Sequence, residues 1–233
     1  MSLKVIITGS TGMVGKGVLY ECLDSTKIES VLVVNRRPLG IVHPKLKEII
    51  HHNFHDLTPI ADQLKGYDTC FFCLGVSSFR MSEAEFTKLT YDLTVHFAET
   101  VLRMNPSLLF TYVSGTGTDS TGKGRVMWAR VKGRTENTLL SMPFRDAYMF
   151  RPGYIQPMKG IRSSTALYNA LYVIFKPLYP LMKALTPNSI TSTVQVGRAM
   201  IRVAEDGYPE KILHAREIND AAAMESADDR KNG

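Results

Sequence analysis

Residues 4–15 read Lys4-Val5-Ile6-Ile7-Thr8-Gly9-Ser10-Thr11-Gly12-Met13-Val14-Gly15, an apolar run that passes directly into glycines at 9, 12 and 15. The run predicts a buried strand, and the amphipathic stretch that follows, through Leu23, predicts a helix. Only a residue without a Cβ turns as sharply as the chain must at Gly9, admits a pyrophosphate beside Gly12, and lets the helix sit close on the strand at Gly15. The amides that open such a helix have no intrahelical acceptor and face an anion. Strand, turn and helix in this order predict a dinucleotide site built from Gly9, Ser10, Thr11, Gly12, Met13, Val14 and Gly15.

The second strand, Ser30 to Val34, should end where the adenosine ribose is read, about 20 residues beyond the glycines. The sequence there is Asn35-Arg36-Arg37-Pro38. A carboxylate would accept a free ribose 2′-hydroxyl, whereas two guanidinium groups pair with a 2′-phosphate. Arg36 and Arg37 therefore favour NADP(H), with NAD(H) the alternative. A third strand over Leu46 to His51 leads to Asn53, placed to hydrogen-bond the adenine edge.

Apolar runs at Thr69 to Leu74, Leu108 to Ser114 and Asp146 to Arg151 predict buried parallel strands, with helices over Ser82 to Met104 and Gly124 to Leu140 between them. Strict alternation of strands and helices predicts an α/β fold, a Rossmann-like doubly wound parallel sheet with a small helical C-terminal lobe. Ser82 and Glu85 make a capping box for the long helix, and Asn105-Pro106 ends it. Leu74, Gly75 and Val76 follow the fourth strand and should line the crevice beside the glycine turn, as should Pro152 and Gly153 after the sixth. Thr193 to Glu205 reads as an amphipathic helix and Lys211 to His214 as a short late strand.

With 233 residues and 44% hydrophobic content, the chain supports one core, expected over residues 1–218. Residues 154–190 read as a lid or substrate-pocket insertion. Within it, residues 165–185 are apolar but interrupted by Lys176, Pro177, Pro180 and Lys183, too broken for a membrane span. A peripheral membrane contact there, or a homodimer surface, is the alternative. Residues 219–233 read as a flexible tail. The formal charge of +6, from 28 basic and 22 acidic residues, suits an anionic ligand, and no motif for nucleic-acid binding accompanies it. No leader-like segment precedes the first strand, which implies a cytoplasmic location. Cys70 and Cys73, three apart on a strand, should point to opposite faces, and the histidines at 51, 52 and 55 diverge, so no metal site is expected.

Taken together, Thr8 to Gly15, Cys73-Leu74-Gly75, Ser114, Trp128-Ala129-Arg130-Val131-Lys132 and Arg151-Pro152-Gly153 resemble the short-chain dehydrogenase/reductase superfamily. Within it, the chain is similar to the atypical branch, the NAD(P)-dependent epimerase/dehydratase-like and Tat-interacting oxidoreductase-like proteins. The resemblance implies that Ser114 polarises a substrate carbonyl and that Lys132 holds the cofactor ribose. Trp128 stands where that superfamily carries its proton-donating tyrosine, and an indole N–H does not titrate usefully. Tyr154, just beyond Gly153, is a candidate proton donor; Asp119, or a water held by Ser114, is another.

Two functions follow. One is an NADPH-dependent oxidoreductase acting on a small, hydrophobic carbonyl compound. The other is an NADP(H)-sensing regulator or scaffold without ordinary catalysis. A nucleotide-sugar epimerase or dehydratase ranks third, because that chemistry too relies on the missing tyrosine. The small-molecule substrate is unknown.

Overall fold

Val5 and Ile7 point to one side of the first strand and Ile6 to the other, and none of the three is exposed, so the strand must lie in a sheet covered on both faces. The computed structural model describes residues 2–161 and 189–224. Its principal sheet is formed by β1 (Leu3–Thr8), β2 (Ile28–Asn35), β3 (Leu46–Ile50), β4 (Thr69–Phe72), β5 (Leu109–Val113), β6 (Asp146–Arg151) and β9 (Ile212–His214). The spatial order is β3-β2-β1-β4-β5-β6-β9, and every pairing is parallel.

On one face lie α1 (Met13–Asp24), α5 (Thr193–Asp206) and α6 (Ala215–Ala223), packed on Val5, Ile7, Val31, Val33 and Phe71. On the other, α3 (Leu93–Met104) and α4 (Met127–Ser141) cover a core that includes Ile6, Phe72, Phe97, Phe110 and Tyr112. Chain direction across the sheet reverses between β1 and β4, which opens a crevice at their carboxyl ends. A Cβ on Gly9 (φ +70°) would lie 2.6 Å from the Cys73 carbonyl and the Leu74 nitrogen, and one on Gly15 would lie 2.3 Å from the Gly9 oxygen. These contacts set the distance between the turn, the strand end and α1.

The long helix starts at the expected box: Ser82 Oγ accepts the Glu85 amide at 3.3 Å, and Glu85 Oε2 accepts the Ser82 amide at 2.9 Å. It runs as one helical segment from Glu83 to Met104, with a π-turn inside it. The short α2 (Glu83–Thr87) passes into a π-turn over Lys88–Asp92 before α3 begins. Tyr91, within that turn, meets Thr138 of α4 at 3.2 Å and carries the Arg134 guanidinium over its ring at 4.4 Å. Asn105 ends α3 and accepts the Gly66 and Tyr67 amides at 2.7 and 3.0 Å, so the stop also ties the helix to the loop before β4.

Two boundaries differ from expectation. The fourth helix starts at Met127 rather than Gly124, because the Asp119 carboxylate accepts the Gly124 amide at 2.7 Å and holds residues 121–124 as a loop. Residues 219–223, expected in the tail, belong to α6, which runs through Ala223 with Ile218 and Ala221 buried on the core; residues 225–233 lie outside the described residues. Cys70 packs on the α3 side of the sheet and Cys73 on the α1 side, as their spacing predicts. Burial pushes the Cys73 thiol up to about 12.

The two ends of the 154–190 stretch meet. Here β7 (Tyr154–Gln156) pairs in parallel with β8 (Ile190–Ser192), and Lys159 Nζ reaches Glu21 at 2.6 Å and Asp24 at 2.7 Å on α1. The apolar segment 165–185 lies outside the described residues.

Between α4 and β6 sits an ion pair that periodicity does not announce. Glu136 is fully buried, and Arg151 is 8% exposed. The Arg151 Nε bonds both Glu136 oxygens, at 3.0 and 3.1 Å, and its Nη2 bonds Oε2 as well. Ser114 donates its hydroxyl to Glu136 Oε1 at 2.5 Å, and Arg151 Nη2 donates to Ser120 Oγ at 2.5 Å. The ends of β5 and β6 are thereby fastened to α4.

Two stability predictions follow from these contacts. A Gly→Ala change ordinarily gains about 0.4–1 kcal/mol through the unfolded chain. At Gly9 the clash and the positive φ outweigh that gain, and Gly9→Ala is expected to destabilise by about 2–4 kcal/mol in urea unfolding. Glu136→Gln leaves a buried guanidinium without its counter-charge and is expected to cost about 3–5 kcal/mol. A loss under about 1 kcal/mol, the scale of a surface pair, would refute the buried-pair assignment.

Candidate dinucleotide site

The glycine turn presents the N-terminus of α1 to the crevice. Gly12 is its N-cap in an extended conformation, no side chain caps it, and no acid occupies its first turn. The first intrahelical bond is Lys16 N–H to Gly12 O at 2.9 Å, so the amides of Met13, Val14 and Gly15 precede it. A Cβ on Gly12 would approach the Gly9 oxygen at 3.2 Å, filling the cradle. Ser10 is fully buried and donates its hydroxyl to Asn35 Oδ1 at 2.9 Å. Thr11 is exposed at the mouth. An uncapped helix dipole above a glycine floor is the donor set that a pyrophosphate requires.

The elements on either side supply the rest of the crevice. Leu74, Gly75 and Val76 follow β4, next to the turn that Gly9 makes against Cys73 and Leu74. Arg36 and Arg37 follow β2, both exposed, with no hydrogen bond or ion pair among the described residues. Asn53 is exposed beyond β3 and uses its Oδ1 to accept the His55 amide at 3.1 Å. Pro152 and Gly153 follow β6. The Pro152 carbonyl accepts the Thr116 amide at 2.9 Å, and Gly153 packs so closely on the Ser189 carbonyl that a Cβ would lie 2.4 Å away.

The residues expected to carry chemistry sit around the ends of β5 and α4, in different states. Lys132 is half-buried, with Nζ donating to the Ser114 carbonyl at 2.5 Å. Burial lowers its ammonium to about 8, partly offset by the negative charge of Glu136. Ser114 is buried, and its hydroxyl lies between Glu136 and the Phe150 carbonyl at 3.2 Å, turned into the protein. Trp128 is half-buried, one helical turn before Lys132, and its ring packs against Gly117, where a Cβ would sit 3.4 Å from it. Tyr154 lies on β7 and donates its hydroxyl to Gln156 Oε1 at 3.0 Å. Asp119 is occupied with its own loop: the Thr121 hydroxyl at 2.7 Å, with the Thr121 and Gly124 amides, holds its carboxyl below the usual range. A carboxylate so held is a poor proton donor at neutral pH.

Three contributors escaped the sequence reading. Thr116 is an exposed hydroxyl two residues beyond Ser114, within 3.3 Å of the Arg151 carbonyl, in a segment whose pattern singled out only the serine. Glu136 lies four residues after Lys132, and the signal for it was a lone acid on the apolar face of a helix. Glu48 belongs to β3, yet its carboxylate meets Asn35 at the end of β2, a juxtaposition that only strand pairing creates.

Comparison with known proteins extends the likeness to the whole chain. No family model matches. The protein FMP52-1, mitochondrial, of Scheffersomyces stipitis is 23% identical over 227 residues, covering 94% of this chain and 98% of that one. The protein FMP52, mitochondrial, of Debaryomyces hansenii is 26% identical over 217 residues, covering 87% and 86%. The cytoplasmic expectation is corrected by these relatives, whose names are mitochondrial; it rested on the lack of a leader-like pattern, which carries no weight against them.

Among solved structures, an oxidoreductase of the short-chain dehydrogenase/reductase family from Burkholderia thailandensis superposes with a TM-score of 0.67 at 16% identity, covering 95% of this chain and 94% of that one. A short-chain dehydrogenase from Burkholderia cenocepacia in complex with NADP gives 0.62 at 13%, covering 99% and 95%. The Bordetella bronchiseptica enzyme WbmF in complex with NAD+ gives 0.63 at 16%, covering 95% and 76%. The chain thus shares across its length the Rossmann-like α/β fold of these short-chain dehydrogenase/reductase structures.

Proposed function

We propose that this chain binds NADP(H) and acts as an oxidoreductase on a small carbonyl compound. The observation that carries the reading is the uncapped N-terminus of α1 over the glycine cradle, with two exposed arginines at the end of the adjacent strand that have no partner among the described residues. Gly9 to Gly15 hold the pyrophosphate, Arg36 and Arg37 the 2′-phosphate, and Asn53 the adenine edge. Leu74, Gly75 and Val76, with Pro152 and Gly153, line the crevice towards the nicotinamide. Solved neighbours of this fold are complexes with NADP and with NAD+, which supports a nicotinamide dinucleotide of either kind; the arginines favour the former.

Bound NADPH supplies a hydride to an electrophilic carbon. The protein's part is to bind, orient and move a proton. Lys132 Nζ holds the ribose, and its charge favours the pyrophosphate. Ser114 is assigned to anchoring the loop after β5, because its buried hydroxyl is donated to Glu136; the exposed Thr116 hydroxyl on the same loop, now donated to the Arg151 carbonyl at 3.3 Å, would have to exchange that bond to meet a substrate oxygen. Tyr154 Oη is the proposed proton source. Trp128 favours a second reading, in which the bound dinucleotide controls a partner surface without turnover.

Titration of the Trp128 fluorescence tests the dinucleotide binding on which both readings rest, without a substrate in hand, and substrate-dependent loss of NADPH absorbance then separates them. Saturable energy transfer to NADPH, with a Kd about tenfold or more below that for NADH, is the expected result, and Arg36→Ala should remove most of that difference. Absence of binding to either nucleotide by calorimetry would refute the proposal.

The Lys132 shift adds a pH dependence with a definite sign. Below pH 8 the ammonium is intact and assists an anionic ligand; above it the charge is lost, so NADPH affinity should fall as pH rises through about 8. Lys132→Arg keeps its charge across this range and should flatten the profile. The same shift acts on folding in the opposite sense. An unfolded lysine holds its proton up to about 10.5, so this group's contribution to stability rises between pH 8 and 10.5.

A further inference from the structure

The NADP(H) reading requires the turn after β2 to present its arginines in a fixed shape, and the inference drawn here rests on that reading. Asn35 closes β2 and is 3% exposed. It accepts the Ser10 hydroxyl at 2.9 Å on one side and donates Nδ2 to Glu48 Oε1 at 3.0 Å on the other. Glu48 in turn accepts the Leu39 amide, at 3.0 Å to Oε1 and 3.4 Å to Oε2. Ser10, Asn35, Glu48 and the Leu39 amide form one hydrogen-bonded chain. It grips the turn at both ends, Asn35 and Leu39, and links it to the phosphate-binding glycines.

Arg36 and Arg37 lie between the two gripped ends and have no partner among the described residues. Pro38, with its fixed φ, limits the turn further. The same chain explains why no acid stands at position 35. A carboxylate there would meet the Glu48 carboxylate at the 3.0 Å now spanned by an amide donor, and two like charges at that distance cannot both stay ionised. The Glu48 oxygens are engaged by Asn35 and Leu39, so the carboxylate acts on the turn rather than on a ribose.

We propose that Glu48 is the positioning residue that sets cofactor choice: it holds the Arg36–Arg37 turn and keeps position 35 neutral, so the site takes an adenosine bearing a 2′-phosphate in preference to one with a free 2′-hydroxyl. Asn35 keeps its own bond to the Ser10 hydroxyl, so the glycine turn stays anchored when Glu48 is removed.

The test compares the wild-type protein, Glu48→Gln and Glu48→Ala. Calorimetry gives the Kd for NADPH and for NADH, and hydrogen exchange of the Leu39 amide reads the turn in the nucleotide-free protein. Glu48→Ala should weaken NADPH by about tenfold, leave NADH within about twofold, and speed exchange at Leu39. Glu48→Gln, which retains an oxygen for the Leu39 amide, should recover most of the NADPH affinity. A purely structural role would weaken both nucleotides equally, and a direct ribose contact would weaken NADH more; either result overturns the assignment. A wild-type preference for NADPH that survives Glu48→Ala overturns the role of Glu48 alone. A wild-type protein that binds neither nucleotide overturns the cofactor reading and this inference together.

Discussion

A carboxylate sealed inside the protein, Glu136, organises the edge of the crevice where β5, β6 and α4 meet. Burying a charge is costly unless it is paired and its remaining lone pairs are filled. Glu136 meets both conditions through Arg151 and the Ser114 hydroxyl. The cost of separating these partners is what fixes the ends of β5 and β6 relative to α4. The loops that leave those strands, carrying Thr116 on one side and Gly153 on the other, inherit their positions from it. Lys132 feels the same arrangement: burial weakens its hold on a proton, while the negative charge of Glu136 partly restores it.

The opposite half of the crevice is governed by steric closeness rather than charge. Gly9, Gly12 and Gly15 bring backbone against backbone at distances that a side chain would forbid, and the helix amides are left open as a result. The two halves are therefore built on different physics. One is a desolvated ion pair that resists rearrangement, and the other is a bare backbone surface prepared for an anion. Between them, Trp128 packs its ring on Gly117, one helical turn before Lys132.

How legible this was depends on how local each determinant is. The turn from β1 into α1, the capping box at Ser82 and Glu85, and the divergence of Cys70 and Cys73 rest on residues a few positions apart, and the sequence displays them directly. The π-turn at Lys88–Asp92 did not show, because its partners, Thr138 and Arg134, come from α4, a distant part of the chain. The start of α4 was misplaced by three residues because the Asp119 side chain competes for backbone amides that a helical pattern would otherwise claim.

By itself, the amino-acid sequence determined the doubly wound sheet, the glycine cradle and the basic turn after β2, since these follow from hydrophobic period, missing Cβ atoms and adjacent charge. Tertiary structure alone decided which polar groups are free and which are spent. Ser114 and Glu136 are 22 residues apart, Asn35 and Glu48 are 13 apart, and each pair meets only after strands and helices have packed. A hydroxyl or carboxylate in a sequence carries its full chemical capacity. Burial and hydrogen bonding, which depend on the whole fold, determine how much of that capacity remains for a ligand.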